Sequence, residues 1–365
     1  MNYSPIMGER QRERRRALAA AVEAAGADAL LVTRLVNVRY LTGLNSSNAA
    51  ALIRVDGPDL LCTDGRYAGT AEKVASDMEI VVDRSTDGTL VGLAADAGAE
   101  TLGFEPHDLT VERHAELAAL DHGIAFKPLG HLVEELRVVK DEGEIDLLRR
   151  ACEITDEAFE ALLPSIRPGI TERSLAVELD RHMIDFGADG LAFDTIVASG
   201  PNGAIPHHSP GPRELASGDL VTIDFGALVG GYHADMTRTV AVGEPADWQR
   251  ELYELVRRAQ RAAVEAAVPG AEYRAVDAAA RDMITEAGFG DDFPHGLGHG
   301  VGLEIHEAPL MSPRTTGKLV DRVPITAEPG VYLAGRGGVR IEDTLVARTG
   351  GPELLTKTTK DLLVL

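Results

Sequence analysis

The sequence predicts a two-domain protein in which an α/β domain over residues 1–130 precedes a duplicated α+β domain over residues 131–365. Three observations support this prediction. The chain has 365 residues, which is long enough for two hydrophobic cores. Short apolar runs of β type alternate with helical patterns in the first third of the chain. The order helix, Pro-Gly, helix, Gly, strands then occurs twice in the remainder.

The composition is typical of a soluble globular protein. Hydrophobic residues make up 44% and charged residues 26% of the chain, which argues against disorder. Basic residues number 36 and acidic residues 58, so the formal net charge is −22. Nucleic acids and anionic membranes attract positive surfaces, and we therefore expect neither as a partner. Long apolar segments and a signal-peptide pattern are absent from the sequence, so we expect a cytoplasmic protein.

The N-terminal domain is predicted to contain a mixed sheet with helices between its strands. A first helix is expected over Glu9–Ala25, where apolar residues share one face and Gly26 follows. The stretches Asn37–Gly43 and Asp64–Tyr67 predict structural turns without a catalytic role. The predicted strands and later helices are, in order, Ala29–Thr33, Ala49–Val55, Leu60–Thr63, helix Tyr67–Ala75, Ile80–Val82, Thr101–Phe104 and helix Val111–Leu120.

The C-terminal domain is predicted to consist of two similar halves. A long helix over about Asp141–Leu163 stops at Pro164, and a second helix over Glu172–Phe186 is closed by Gly187. The same order begins again at Asp247. An offset of 101 residues aligns Pro168 with Pro269, Gly169 with Gly270, Arg173 with Arg274, Leu175 with Val276, and Gly187 with Gly288. We infer two α+β halves related by a pseudo-two-fold axis, so that a site between them draws on both.

Each half contains two acidic residues separated by a Gly-Gly pair. The acids are 11 residues apart in the first half and 14 apart in the second. They are Asp224 and Asp235 around Gly230-Gly231, and Glu328 and Glu342 around Gly337-Gly338. If the Gly-Gly pairs form turns, each half is an antiparallel hairpin that brings its two acids together.

A glycine-rich stretch over Phe293–Glu307 contains three of the eleven histidines, at His295, His299 and His306. Alternating glycines allow a backbone to approach a ligand closely. Neighbouring buried carboxylates repel one another unless a cation compensates them. Four such acids and one histidine therefore predict two divalent ions held by bridging carboxylates, and these donors suit Mn²⁺, Co²⁺, Fe²⁺ or Zn²⁺.

Five motifs together resemble the pita-bread metallopeptidases, and the resemblance covers nearly the whole chain. The motifs are Ile-Asp224-Phe-Gly, Ala-Asp235-Met-Thr-Arg-Thr, Gly-His299-Gly-Val-Gly-Leu-Glu-Ile-His306-Glu, Glu328-Pro-Gly and Arg340-Ile-Glu342-Asp. The chain looks most similar to the branch of aminopeptidase P and prolidase, which has a creatinase-like N-terminal domain. The resemblance implies two metal ions, commonly manganese or cobalt, with Asp235 and Glu342 bridging them. The implied ligands are Asp224, Asp235, His299, Glu328 and Glu342.

The resemblance also implies catalytic roles for residues near these ligands. A water held between two divalent cations becomes hydroxide near neutral pH and attacks the carbonyl group before proline. His207 matches the upstream active-site histidine of the family, and His207 or His306 stabilises the oxyanion. Glu328 is expected to pass the proton of the water to the leaving nitrogen.

Further residues are expected to support the centre. His295 resembles a family residue that lines the metal site. Arg340 is expected to orient the acids by charge-assisted hydrogen bonds. Thr237 and Thr344 are candidate hydrogen-bond donors to the ligands. His208 has no family match, and we expect it to be an exposed neighbour of the active-site histidine.

Three other protein classes share part of this resemblance but fit the sequence less well than an Xaa-Pro peptidase. Creatinase shares the fold but cleaves its substrate without metal, and methionine aminopeptidase normally lacks such an N-terminal domain. A metal-free binding protein, like the histone-binding module of chromatin chaperones, has lost the ligands that are intact here.

The substrate is expected to be a small peptide with proline at its second position. Some prolidases place an arginine four residues after the position of His306, where this chain has Leu310, and Arg314 is out of register. The sequence therefore favours an Xaa-Pro aminopeptidase that accepts longer peptides, with an Xaa-Pro dipeptidase as the alternative. The resemblance also implies a homodimer whose N-terminal domain reaches over the partner's active site.

Overall fold

The computed structural model describes residues 5–120 and 122–365, which divide into two compact units, the first ending at Arg137 and the second beginning at Val138. The sequence places the boundary seven residues earlier, at residue 130. The difference has a physical cause, because the helix that follows residue 130 is hydrogen-bonded to the first unit. Arg137 donates to Asn37 Oδ1 at 2.7 Å, and Asn37 donates to Glu134 Oε1 at 2.7 Å. No helix among the described residues is long and apolar enough to cross a membrane.

The first unit is a mixed sheet with helices packed around it. Its helices are α1 (Pro5–Ala24), α2 (Leu35–Thr42), α3 (Ala68–Val74), α4 (Thr86–Asp96), α5 (Val111–Ala118) and α6 (Leu132–Val138). Its strands are β1 (Ala29–Val32), β2 (Ala49–Arg54), β3 (Leu60–Thr63), β4 (Glu79–Val82), β5 (Thr101–Phe104) and β6 (Ala125–Pro128). The strand order is β4-β3-β2-β1-β5-β6. Strands β1, β5 and β6 run parallel, so their carboxyl ends lie at one edge.

The prediction of a structural turn at Asn37–Gly43 is wrong, because these residues belong to helix α2 and its C-cap. Gly43 ends the helix in the left-handed conformation at φ 80°. The helix is held by tertiary contacts, since Asn37 is fully buried and donates to Glu105 Oε1 at 2.6 Å. The turn predicted at Asp64–Tyr67 is present, and Arg66 bonds back to the Asp64 carboxylate.

The second unit contains four long helices and four small sheets. Its helices are α7 (Glu142–Leu162), α8 (Glu172–Asp185), α9 (Asp247–Ala266) and α10 (Tyr273–Glu286). The first half has β7 (Gly190–Leu191), β8 (Ile196–Ser199), β9 (Leu220–Phe225), β10 (Ala227–Val229), β11 (Tyr232–His233) and β12 (Met236–Ala241). The second half has β13 (Gly298–Gly300), β14 (Glu307–Met311), β15 (Val323–Ala327), β16 (Gly330–Leu333), β17 (Gly337–Arg340), β18 (Asp343–Ala347) and β19 (Glu353–Leu354).

Each half of this unit has its own helix-on-sheet core, as the repeated pattern predicts. In the first half, Leu175 of α8 belongs to the same buried core as Ile223 of β9. In the second half, α10 packs the matching Val276 in a core with Ile325 of β15. The glycines of the two Pro-Gly turns also correspond. The Gly169 amide bonds to Leu215 O at 2.9 Å, and the Gly270 amide bonds to Leu319 O at 2.8 Å.

The acid-bearing strands pair directly, and the Gly-Gly pairs do not join them. Strand β9 pairs antiparallel with β12, while Gly230 and Gly231 turn the smaller hairpin β10–β11 between them. Strand β15 likewise pairs with β18, and β16–β17 is the inserted hairpin. Gly337 and Gly338 lie in strand β17, so residues 334–336 form that turn. The predicted single hairpins are therefore nested pairs, which place the acids at the ends of the outer strands.

A buried guanidinium joins the two halves. Arg238 lies on β12 of the first half, and its side chain is 2% exposed. It pairs with Asp343 of β18 at 2.8 Å and also donates to the Glu342, Thr358 and Thr359 carbonyl oxygens. The halves are thus held together beside the acids by charge-assisted hydrogen bonds.

Candidate metal centre

The five predicted ligands lie around one cavity of about 450 Å³ in the second unit. They come from both halves, at the ends of β9, β12, β15 and β18 and within β13. The cavity is also lined by the other predicted site residues His207, His295, His306 and Arg340. The structure therefore brings together nine residues that are spread over 136 positions of the sequence, from His207 to Glu342.

The ligand atoms of Asp235, His299 and Glu342 lie within 4.8 Å of one another, and all three residues are buried. His299 Nε2 is 3.5 Å from Asp235 Oδ2 and 3.4 Å from Glu328 Oε1. One divalent ion could reach all of these atoms after small side-chain movements, because metal–oxygen and metal–nitrogen distances are about 2.0–2.2 Å.

His299 is oriented to present a lone pair to the acids. Its Nδ1 atom is 3.0 Å from the carbonyl oxygen of Gly300, which can only accept, so Nδ1 carries the proton. Burial lowers the pKa of His299 to about 4, which leaves the ring neutral. The flanking glycines allow this close packing, since a Cβ on Gly298 would lie 2.2 Å from Thr326 O and one on Gly300 2.2 Å from Ala308 O.

The acids would repel one another without a compensating charge. Burial raises the pKa values of Asp235, Glu328 and Glu342, and their neighbouring carboxylates raise them further. Asp224 Oδ1 is buried and has no hydrogen-bond partner among the described residues. A buried carboxylate oxygen without a partner carries an unfavourable desolvation free energy, which a neighbouring cation offsets. This donor set fits divalent metal ions.

Arg340 acts on the acids directly and through Thr237. Its Nη2 atom donates to Asp224 Oδ2 at 2.7 Å, and its Nε atom donates to Thr237 Oγ1 at 3.1 Å. Thr237 in turn donates to Glu342 Oε2 at 2.7 Å. Thr344 donates to the backbone oxygen of Asp235 and does not reach a carboxylate. One guanidinium thus orients acids from both halves.

Tyr332 links Arg340 to His295, a connection that the sequence did not suggest. Arg340 Nη1 donates to the Tyr332 hydroxyl at 2.9 Å, and that hydroxyl lies 2.8 Å from His295 Nε2. His295 Nδ1 is 2.8 Å from Gly296 O, so Nδ1 is the donor and Nε2 accepts from Tyr332. Burial lowers the pKa of His295 to about 4. His295 is therefore a neutral side chain that lines the cavity in a fixed orientation.

His207 and His306 lie at the open side of the cavity, where both residues are exposed. The rings of His306 and His299 meet edge to face, with centroids 4.4 Å apart. Partial burial lowers the pKa of His306, and His207 lowers it further. A neutral imidazole at this position can donate a hydrogen bond to a bound substrate.

The loop that carries His207 is fixed by Glu172, the first residue of α8. Glu172 Oε1 accepts hydrogen bonds from Ser199 and Asn202, and Oε2 accepts from His208 Nε2 at 2.8 Å and from the Gly211 amide. The His208 side chain is 15% exposed, so the expectation of an exposed neighbour is wrong. No sequence motif marks this contact, because Glu172 reads as an ordinary first-turn acid.

Comparison with known proteins agrees with this geometry. Metallopeptidase family M24 matches residues 146–349, and the Creatinase/Prolidase N-terminal domain matches residues 14–139. An Xaa-Pro dipeptidase of Pyrococcus furiosus is 39% identical over 336 residues, which cover 92% of this chain and 95% of that protein.

Solved structures of Xaa-Pro peptidases are also similar to this chain. An Xaa-Pro dipeptidase from Bacillus anthracis has a TM-score of 0.94 and 39% identity, covering 97% of this chain and all of that one. An X-Pro aminopeptidase from Thermotoga maritima has a TM-score of 0.87 and 36% identity, covering 94% of this chain and all of that one.

The fold and the acid-lined cavity define a two-domain metallo-exopeptidase, a hydrolase in which a creatinase-type N-terminal domain precedes a pita-bread catalytic domain in the sequence. The chain belongs to metallopeptidase family M24, in the branch that contains the prolidases. The predictions of family and fold class are confirmed.

Proposed function

We propose that this protein is a dinuclear metal-dependent Xaa-Pro dipeptidase, which hydrolyses the bond between an N-terminal residue and a C-terminal proline. The convergence of four acids, two of them fully buried, and the free Nε2 atom of His299 on one cavity carries the proposal. The names of the dipeptidases from Pyrococcus furiosus and Bacillus anthracis support the dipeptide substrate.

The proposed ligands are those expected from the sequence: Asp224, Asp235, His299, Glu328 and Glu342. Two divalent ions, when bound, supply the positive charge that acidifies a water molecule and polarises the scissile carbonyl group. The protein's own part is to hold the acids in place. Arg340 and Thr237 fix the carboxylates of Asp224 and Glu342 through the hydrogen bonds described above.

Proton transfer and oxyanion stabilisation are assigned to three residues. Glu328 is the proposed base, which takes a proton from the attacking water and gives it to the leaving proline nitrogen. His207 and His306 are the proposed donors to the carbonyl oxygen as its charge develops. Their position at the open side of the cavity leaves room for the substrate between them and the acids.

We propose Mn²⁺ as the activating ion, with Co²⁺, Zn²⁺ and Fe²⁺ as alternatives, because four carboxylates make the donor set hard. A homodimer and a cytoplasmic location stay predictions from the sequence. Light scattering of the purified protein tests the first of these.

An Xaa-Pro aminopeptidase is the second candidate, and one observation favours it. Leu310 lines the cavity and is 54% exposed. Among the described residues that line this cavity, Arg340 is the single arginine or lysine, and it is buried and paired with Asp224. A longer peptide needs no cation for a free proline carboxylate, whereas a dipeptide gains from one.

The two candidates are separated by comparing Ala-Pro, Ala-Pro-Pro and Ala-Ala with the Mn²⁺-loaded enzyme. The dipeptidase proposal expects kcat/KM for Ala-Pro to exceed that for Ala-Pro-Pro at least about tenfold. The reverse preference makes the protein an aminopeptidase. Turnover of Ala-Ala as fast as Ala-Pro, or no metal-dependent turnover of any of the three, contradicts both candidates.

A further inference from the structure

A group of two histidines and one glutamate lies in the first unit and shares no residue with the acid-lined cavity of the second. His107 follows β5, and His131 and Glu134 lie at the start of α6, just after β6. Strands β5 and β6 are parallel neighbours, with Phe104 beside Pro128. Their carboxyl ends therefore meet at one edge of the sheet, which brings the three side chains together.

The three residues offer ligand atoms that all lie within 4.8 Å of one another. His107 Nε2 is 2.9 Å from Glu134 Oε1, and His131 Nδ1 is 3.9 Å from Glu134 Oε2. The imidazole rings are neighbours, with centroids 4.3 Å apart and ring planes tilted by 33°. Two imidazoles beside one carboxylate are a donor set that borderline divalent ions prefer.

The two oxygens of Glu134 have different surroundings. Oε1 accepts hydrogen bonds from Arg34 at 2.9 Å, Asn37 at 2.7 Å and His107 at 2.9 Å. Oε2 is buried and has no hydrogen-bond partner among the described residues. A buried, unpaired carboxylate oxygen carries a desolvation cost that a cation would remove. The free oxygen is the one nearer His131.

We propose that His107, His131 and Glu134 form a binding site for a divalent transition-metal ion such as Zn²⁺, Ni²⁺ or Co²⁺. Glu134 supplies Oε2, and water completes the coordination on the exposed side. The His131 side chain is 64% exposed, so it can rotate to shorten its 3.9 Å separation from Glu134. His107 binds through Nε2 once its proton moves to Nδ1, a tautomer change that leaves the ring neutral.

Nearby charges balance around this group. Arg34 bonds to Glu134 and opposes a cation, as does Arg137, which bonds to Asn37. The carboxylate of Glu105 lies in the same network and accepts from Asn37 at 2.6 Å. The site would tie the loop after β5 to the start of α6, so its role is structural and independent of the peptidase centre.

Zinc binding by the full-length, chelator-stripped protein tests the proposal. After equilibrium dialysis against Zn²⁺, metal analysis should find three ions per wild-type chain and two per chain of His131→Ala. His122→Ala is the matched control, since His122 is an exposed histidine of the same unit, and it should keep three. The double variant Asp235→Ala/Glu342→Ala should keep one ion, which is lost when His131→Ala is added.

Equal zinc content in wild type and His131→Ala would overturn the proposal. If the peptidase centre is absent, the wild type binds one ion and His131→Ala none, so the two assignments fail separately. Zinc should also raise the melting temperature of wild type and His122→Ala more than that of His131→Ala. His131 is mostly exposed, and its replacement is therefore not expected to prevent folding.

Discussion

His208 Nε2 donates a hydrogen bond to Glu172 Oε2 across 2.8 Å, and this contact connects helix α8 to the loop that carries His207. The Glu172 side chain is fully buried. Because five donors share its two oxygens, Glu172 sets the path of the chain between Ser199 and Gly211. The position of the proposed oxyanion donor therefore depends on a residue that lies outside the cavity.

Glu172→Gln should lower activity by moving this loop. The amide keeps the shape of the side chain but loses the charge, and its NH₂ group faces donors. We expect kcat/KM to fall about 10- to 100-fold, as for residues that orient catalytic groups, with kcat affected more than KM. Glu160→Gln, an exposed change on α7, is the control and should leave both constants unchanged. An unchanged kcat in Glu172→Gln would contradict the positioning role.

The stability difference between wild type and Glu172→Gln should depend on pH. Burial raises the pKa of Glu172, but the hydrogen bonds from Ser199, Asn202 and His208 outweigh it and lower the pKa below its usual value. A lowered folded-state pKa stabilises the protein above the unfolded pKa of about 4.3 and loses that effect as pH falls through the folded value.

Urea denaturation at several pH values measures this dependence. Near pH 7 the wild type should be more stable than Glu172→Gln by about 1–3 kcal/mol, the cost of leaving buried donors unsatisfied. The difference should shrink on acidification below about pH 4.3. A stability difference between wild type and Glu172→Gln that grows in acid would contradict a lowered pKa of Glu172.

Asp235→Ala should abolish peptidase activity and reduce metal content. Asp235 is a proposed bridging ligand, so its loss should weaken metal binding by more than the roughly 100-fold typical of residues that only support ligands. Metal analysis and turnover of Ala-Pro measure the two effects. Asp185→Ala, at the exposed end of α8, should behave as wild type. Full activity in Asp235→Ala would remove this residue from the centre.

Removing the metal ions should destabilise the second unit. Without them, Asp235, Glu328 and Glu342 face one another in a buried site. A chelator should lower the melting temperature, and Mn²⁺ should restore it in proportion to its concentration over the dissociation constant. A melting temperature that changes neither with the chelator nor with Mn²⁺ would contradict a buried metal centre.

Leu310→Arg should shift preference towards dipeptides. An arginine at this exposed position of β14 can pair with the free carboxylate of a C-terminal proline. We expect the ratio of kcat/KM for Ala-Pro over Ala-Pro-Pro to rise about five- to tenfold, which corresponds to about 1 kcal/mol. Val320→Arg adds the same charge outside the cavity and is the control. An equal change with both substrates would exclude carboxylate recognition.

Much of the fold can be predicted from the local sequence pattern, because residues close together in the chain determine turns and helix ends. Helix α7 begins after Asp141, whose side chain caps the Gly143 and Glu144 amides. It ends at Leu162, one residue short of the prediction, and Pro164 lies in the 3-10 turn that follows. Helix α2 was missed, since its stability comes from tertiary partners such as Glu105 and not from its own sequence. The Gly-Gly pairs indicated turns but could not show which strands they join.

The candidate site, like the fold, is predictable from the sequence only in part. The order and spacing of the acids and of His299 give the proposed ligands, which the structure brings to one cavity. The connection from Arg340 through Tyr332 to His295 depends on side-chain directions in three strands and loops, which spacing cannot encode. The sequence favours an aminopeptidase because Leu310 stands where some prolidases have an arginine and Arg314 is out of register, whereas the dipeptidases among the relatives favour the alternative.

Arg238 also limits how the catalytic unit can be divided. A fragment that ended after the first half would keep this buried guanidinium but lose Asp343 and the three carbonyl oxygens that accept its hydrogen bonds. Stranding a buried charge in this way costs about 3–5 kcal/mol, a large share of a domain's total stability. The two halves are therefore not separable, and we expect them to unfold in a single cooperative transition.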